Sequence, residues 1–191
     1  MGHGVTVHVY DEAPEDLPPG VALSDASLVA PRERIMLHRK HQSVALFSDL
    51  FRLMLQAKGV GPWIDCDILC VRPIRPAGPN LFGLESPHSI GNSILGLPPD
   101  SPILPDLIAL FGYKGWIPPW FSHGRALRYR LKRLIGVHRD ATTLPWAATG
   151  PAALTWYARQ AGLFGEAAAP EVFYPVPFGE AARLYDPGYD L

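Results

Sequence analysis

Two aspartates separated by one residue, Asp65 and Asp67, interrupt an apolar run and carry the clearest chemical signal in this sequence. On a β-strand, side chains two residues apart point to the same face of the sheet. Burial of an unpaired carboxylate costs several kcal/mol, so a positive group must meet these two side chains. A divalent cation that carries a diphosphate is the partner that best explains the surrounding segment.

An amphipathic helix is predicted immediately before the two aspartates. Its apolar stripe repeats at helical spacing and consists of Phe47, Leu50, Phe51 and Met54. Gly59 and then Gly61 end this helix, and Asp49 and Arg52 lie three residues apart on its surface. The run 63–71 is then predicted as a buried strand, with the aspartates towards its carboxyl end, where α/β sheets bind ligands.

The joint order of these residues resembles that of one enzyme family. The order is Ser48-Asp49-x-x-Arg52, then Gly59-x-Gly61, then Asp65-x-Asp67. It is similar to the core of the GT-A type glycosyltransferases whose sugar-binding region contains a DXD motif, a group related to initiating mannosyltransferases and to capsular polysaccharide enzymes. Looser similarities to that family occur in residues 2–11, 90–93 and 149–152.

The resemblance implies a GT-A-like (Rossmann-like) α/β fold, with a mixed, mainly parallel sheet flanked by helices, in a single glycosyltransferase domain over residues 1–191. Domains of this family begin with a strand and a helix before a Gly-His turn, whereas here Met1 falls directly on that turn. We therefore expect an N-terminally incomplete domain with weak nucleotide affinity and marginal stability. The family also often supplies a further His or Asn to the metal near its carboxyl end, and no histidine follows residues 174–177.

The resemblance also implies roles for individual residues. In the family, the DXD carboxylates hold a metal ion and the diphosphate of a nucleotide sugar. Asp65 and Asp67 would therefore bind Mn²⁺ or Mg²⁺, and Asp49 and Arg52 would contact the hydroxyls of the sugar and the ribose. Catalysis falls to Asp49, Arg52 and Asp67, and substrate binding to Asp49, Arg52, Asp65 and Asn92.

The implied activity is that of a metal-dependent hexosyltransferase. It would move a hexose from a UDP- or GDP-sugar to a hydroxyl of a glycan or glycolipid, with retention of anomeric configuration, in polysaccharide biosynthesis. Two other function classes stay open. One is a degenerate or incomplete nucleotide-sugar-binding or scaffold domain without its own activity. The other is a metal-dependent nucleotidyltransferase or phosphohydrolase, which also uses paired aspartates but leaves the pattern of Ser48, Asp49 and Arg52 unexplained.

The motif residues also have purely structural interpretations. Asp65 and Asp67 could form a solvated strand end, with one of them paired to Arg72. Asp49 and Arg52 could form an ordinary helical ion pair worth about 0.3–0.5 kcal/mol. The apolar surroundings of the aspartates favour the functional interpretation of both pairs.

Other polar residues near the motif are less decisive. Asn92 could be a turn residue or a hydrogen-bonding group on the acceptor side. Thr149 is favoured as a residue near the cap of a helix. His38 and His41 are favoured as part of a solvated face, and Glu85 could be a base or a strand-end carboxylate.

Length and composition fit one domain. A chain of 191 residues, 48% of them apolar, can bury a substantial core. The net charge of −1 argues against bulk electrostatic binding of nucleic acid. The sequence has no run of about 18 apolar residues and no charged start followed by an apolar stretch. We therefore expect no membrane span, no secretory signal and a cytoplasmic location.

The two cysteines, Cys66 and Cys70, are predicted to stay unpaired. On a strand, residues four apart have Cα atoms about 13 Å apart, whereas a disulfide requires less than about 7 Å. Both are expected to be small buried apolar residues in a reducing compartment.

The rest of the chain alternates between strand and helix patterns. Strands are predicted at 5–10, 80–85, 93–97 and 172–174. Helices are predicted at 101–111, 124–135 and 150–162, the last with proline in its first turn. Residues 14–19 form an acidic turn, and residues 24–29 a strand end or a loop.

A second feature combines the aromatic run 116–121 with the basic helix 124–135. Leu127, Leu131 and Leu134 form an apolar stripe on that helix. Aromatic residues beside a basic amphipathic helix suit a membrane surface, so peripheral membrane contact through 116–135 stays open. The residues favour a packed loop against a helix with a solvated basic face.

Overall fold

Five strands and five α-helices make up the regular structure of the computed structural model, which describes residues 3–12, 15–176, 178–186 and 188. The strands are β1 Val5–Val9, β2 Val21–Asp25, β3 Trp63–Ile64, β4 Leu81–Ser86 and β5 Ser89–Gly96. The α-helices are α1 Ala45–Ala57, α2 Leu104–Ala109, α3 His123–Leu134, α4 Pro151–Gln160 and α5 Pro170–Phe173. 3₁₀ helices cover Ala26–Leu28, Arg32–Arg34, Ala141–Thr143, Phe164–Glu166 and Phe178–Tyr185, the last of them eight residues long.

The strands form two small sheets. β1 and β2 pair in parallel, in register from Val5 opposite Val21 to Val9 opposite Asp25. The second sheet has the order β3–β5–β4, and both of its pairings are antiparallel. The predicted mixed α/β class is confirmed. The expectation of a mainly parallel sheet is wrong for the described residues, because two residues alone join β4 to β5 and a hairpin forces antiparallel pairing.

Most elements predicted from the sequence are present. The described strands β1, β4 and β5 and the helices α1 to α4 all overlap their predicted ranges. The predicted strand at 172–174 is wrong: Pro170 occupies the first position of a short helix there, where its missing N–H costs nothing. The acidic turn at 14–19 lies only partly within the described residues, since residue 14 lies outside them.

The strand predicted over 63–71 is also wrong beyond Ile64. The Asp65 backbone N–H still donates to the Ser93 carbonyl at 2.8 Å, but Ile68 N–H then donates to the Asp65 carbonyl at 3.1 Å, which closes a turn. Aspartate favours such turns. As a result Cys66 is exposed and Cys70 only half-buried, so the expectation of two buried cysteines is wrong, whereas both are free as predicted.

The core lies between α1, the β5 sheet, α2 and α4. Helix α1 packs on α2 and β3, and α4 packs on β5. Leu50, Ile90, Leu95, Leu104 and Leu107 are fully buried at the centre of this packing. None of the helices in the described part of the chain is long and apolar enough to cross a membrane.

The hairpin also fixes the last residue of α5 and the residue that follows it. A Cβ placed on Gly91 would overlap the Tyr174 hydroxyl, and one placed on Gly83 would lie 2.5 Å from the Phe173 ring. Glycine at these two positions therefore lets the segment 173–174 lie directly on the face of the β4–β5 sheet.

Gly91→Ala is expected to lower the free energy of unfolding by about 1–3 kcal/mol, because the new methyl group displaces Tyr174 from a packed position. Urea denaturation followed by circular dichroism measures this loss. Gly78→Ala is the matched control, since a Cβ there meets nothing within 4 Å. Equal stability of the two variants would contradict the close approach.

Candidate functional site

A buried arginine connects three parts of the fold. Arg52 lies in α1 and is 6% exposed. Its Nη2 donates to Ser48 Oγ at 2.9 Å and its Nε to the Ser48 carbonyl at 3.2 Å, which folds the side chain back along its own helix. Its Nη1 donates to the backbone carbonyl of Asn92 in β5. The guanidinium also lies over the Trp63 ring of β3, 5.1 Å from its centroid.

Two aspartates flank this guanidinium. Asp65 Oδ1 lies 3.2 Å from Arg52 Nη2, and Asp49 Oδ1 lies 3.9 Å from the same nitrogen. The positive group that the aspartate of the turn requires is therefore an arginine of α1, and not Arg72, which is exposed. The Asp49–Arg52 pair is largely buried. It is therefore not the ordinary surface ion pair that its three-residue spacing on the helix also allowed.

The Asp49 carboxylate is satisfied from several sides. Asn92 Nδ2 donates to Oδ1 at 2.8 Å, and Thr149 Oγ1 donates to Oδ2 at 3.1 Å. Gly150 permits this arrangement, because a Cβ there would lie 2.7 Å from Asn92 Nδ2 and 2.8 Å from Asp49 Oδ1. The cluster thus joins residues that are up to 100 positions apart in the chain.

Asp65 and Asp67 differ in their surroundings. Trp63 Nε1 donates to Asp65 Oδ1 at 2.6 Å, on the oxygen that also faces Arg52. The other oxygen of Asp65 accepts no hydrogen bond from the described residues, and the Asp67 carboxylate is exposed. The expectation that both side chains point to one face of a strand is wrong, because the two residues lie in a turn.

A cavity of about 230 Å³ opens beside this cluster. The residues that line it include Asp49, Arg52, Asp65, Asn92 and Thr149. Across the described part of the chain, no three His, Cys, Asp or Glu side chains are grouped so that they could hold a metal ion by themselves. Asp65 and Asp67 are the carboxylates that the sequence predicts as cation ligands, and that role stays a prediction.

An exposed aromatic residue also lines the cavity. Trp146 is 53% exposed and packs edge-on against His38 and His41, with ring centroids 5.6 and 5.2 Å away. His38 itself is buried, and its Nε2 must carry a proton because it bonds the Leu144 carbonyl at 2.9 Å. Ala147, which also lines the cavity, has a left-handed φ of 62°, a conformation that costs about 1 kcal/mol outside glycine.

The structure brings together most residues of the predicted site. Asp49, Arg52, Asp65 and Asn92 meet at the cavity, whereas Asp67 lies on the exposed turn beside it. Asn92 lies within β5, so its interpretation as a turn residue is wrong.

Three interpretations of other residues are corrected. Thr149 does not cap α4, whose N-cap is Gly150 without a side-chain bond, but donates to Asp49. His38 is buried and not part of a solvated face, although His41 is exposed. Trp146 was missed. The turn-forming Pro145 before it was the only local signal, and nothing in the sequence places this loop against α1.

Burial has a measurable electrostatic consequence. Loss of hydration raises the pKa of Asp49 above its usual 3.8, and Arg52, Asn92 and Thr149 only partly oppose this effect. A buried carboxyl group with a raised pKa next to a cavity can hold or release a proton close to a bound molecule.

The raised pKa predicts a pH-dependent loss of stability. Between the unfolded value of 3.8 and the higher folded value, the native state keeps a proton on Asp49 that the unfolded chain has released. Stability therefore falls as pH rises through this window. Asp49→Asn lacks this titration, so the wild type should lose stability relative to the variant as pH rises above the unfolded value of 3.8, measured by urea unfolding.

Asp25→Asn is the control, because hydrogen bonds from Ser27 lower the pKa of Asp25. The effect of Asp25 on stability therefore changes only below the pH range in which Asp49 titrates. A stability difference between the wild type and Asp49→Asn that does not change with pH would contradict the assignment.

Comparison of the chain with protein-family models, with curated proteins and with solved structures found no match in any of the three.

Proposed function

We propose that this protein is a metal-dependent glycosyltransferase that moves a hexose from a UDP- or GDP-sugar to a hydroxyl of a glycan or glycolipid. The observation that carries the proposal is the meeting of Asp49, Arg52, Asp65 and Asn92 at one cavity. These residues come from a helix, a turn and a strand that are far apart in sequence. Their residue types and order are those that resemble the DXD-containing glycosyltransferases.

The proposal includes a GT-A-like arrangement of the fold. Its support is the parallel pair β1–β2, which precedes the helix α1 that carries Asp49 and Arg52, and the short β3, which leads directly into the turn of Asp65 and Asp67. In this arrangement the donor sugar would lie against the carboxyl end of β3.

The carboxylates of Asp65 and Asp67 would hold Mn²⁺ or Mg²⁺. Their chemistry fits, since Mg²⁺ is commonly bound by one or two carboxylates together with substrate phosphates. Asp65 would contribute the oxygen that does not face Arg52. A bound cation would neutralise the charge on the leaving nucleoside diphosphate.

The chain's own residues would orient the sugar. Asp49, Asn92 and Trp146 all line the cavity, so polar groups and a flat apolar ring are available to a sugar there. Arg52 has most of its donors engaged by protein atoms, so we assign it as a positioning residue for Asp49, Asp65 and Asn92 rather than as a sugar ligand. The cavity, at about 230 Å³, is smaller than the ~300–1,000 Å³ of pockets that enclose drug-sized ligands. A cavity of this size would hold one sugar ring, and the nucleotide would lie outside the cavity.

One observation favours a second candidate, a nucleotide-sugar-binding domain without its own activity. Arg52 contacts Ser48, Asn92 and Asp65. These contacts would be needed to stabilise the fold even in a domain that catalyses no reaction. Nucleotide-sugar binding without release of nucleoside diphosphate would identify this case. Release of pyrophosphate would instead indicate a nucleotidyltransferase.

Asp67→Asn is expected to weaken nucleotide-sugar binding by more than about tenfold, because it removes one charged metal ligand. Its unfolding midpoint should not change, since Asp67 is exposed. Isothermal calorimetry with UDP- and GDP-hexoses, with and without Mn²⁺, measures the effect. Asp100→Asn, another exposed aspartate, is the control. Equal affinity of the wild type in EDTA and in Mn²⁺ would refute the metal-dependent site.

A further inference from the structure

Helix α3 exposes the apolar side chains that an amphipathic helix normally buries. Leu127, Leu131, Leu134 and the following Ile135 are 56, 55, 79 and 74% exposed. Their spacing places them on one face of the helix. Tyr129, the buried residue of α3, lies on the opposite face. The preceding loop packs against the core through Pro118, which is fully buried, as the sequence favoured, but the apolar stripe of the helix is left uncovered.

The charge around this stripe has one sign. Between Asp106 and Asp140 the chain contains no acidic residue and seven Lys and Arg residues, although the net charge of the whole chain is −1. Within the described residues, none of the basic side chains of α3 forms an ion pair with a carboxylate. The charge is therefore available to an external anionic partner.

Basic side chains border the stripe on both sides. On one side is a groove of about 970 Å³ whose lining includes Arg39, Lys40, Arg125, Arg128 and Lys132 but no aspartate or glutamate. On the other side, a second hollow is lined by Arg130 and Arg133 together with aromatic residues. Long basic side chains beside an apolar stripe can reach lipid headgroups while the leucines enter the acyl boundary.

We propose that α3 docks the protein onto the surface of an anionic lipid bilayer. A bilayer matches both features at once, because it offers an apolar interior beneath a layer of negative phosphates. A second copy of the chain fits less well, since a symmetric contact through α3 would place the same basic residues against each other. This inference goes beyond the proposed function and does not depend on it.

Flotation with phosphatidylcholine vesicles, with and without about 30% phosphatidylglycerol, tests the docking in the absence of any nucleotide sugar. The full chain should float with the anionic vesicles and much less with the neutral ones, and about 0.5 M salt should weaken the binding. The double variant Leu131→Gln/Leu134→Gln should lose at least about tenfold in affinity. Arg128→Gln/Arg130→Gln should lose about fivefold for each cation removed.

Leu28→Gln and Arg34→Gln are matched controls, since both residues are exposed and far from α3 in sequence. All variants should keep the wild-type unfolding midpoint, because the replaced side chains are exposed. Binding to neutral and anionic vesicles alike, or binding that survives both double variants, would overturn the proposal. So would a concentration-dependent dimer, seen by sedimentation velocity and abolished by Leu131→Gln/Leu134→Gln, because it would show that a second copy covers the stripe.

Discussion

The guanidinium of Arg52 is the group on which the arrangement of this protein depends most. It is a permanent charge placed where water cannot solvate it, so protein atoms must satisfy it. The partners come from α1 itself through Ser48, from β5 through the Asn92 carbonyl, and from the turn after β3 through Asp65. These contacts fix the positions of α1, β5 and the turn after β3 relative to one another.

This requirement accounts for two features of the local structure. β3 ends after Ile64, and the carboxylate of the next residue, Asp65, lies beside the guanidinium, while its backbone N–H makes one more hydrogen bond to β5. Asp49 is drawn into the same buried region, where Asn92 and Thr149 supply hydrogen bonds that offset part of its lost hydration. The same polar groups line a cavity, so the contacts that order the fold also prepare a set of directed polar atoms for a ligand.

Local patterns allowed much of the fold to be predicted. The helical stripe around Leu50 and the alternation in Val5–Val9 depend on neighbours in sequence, and both elements are present. The motif also identified Asp49, Arg52, Asp65 and Asn92, which the structure brings together. The mechanistic roles assigned to them remain predictions.

The errors came from contacts between distant residues. Nothing near Asp65 in the sequence indicates that an arginine thirteen positions earlier will form an ion pair with it at the point where the strand ends. Thr149 resembles a capping residue, and only the packing of its loop against α1 directs it to Asp49. In α3 the sequence pattern and the structure also differ. Leu127 and Leu131 have the helical spacing of buried core residues, yet no described element covers them.

The most direct test of this account is the free energy of unfolding of Arg52→Lys. Lysine keeps the charge but lacks the planar fork that reaches Ser48, Asn92 and Asp65 together. The account predicts a loss of about 2–4 kcal/mol in urea denaturation, whereas Arg34→Lys, at an exposed position, should change little. A loss below about 0.5 kcal/mol, the range of ordinary surface substitutions, would show that Arg52 does not organise the cluster.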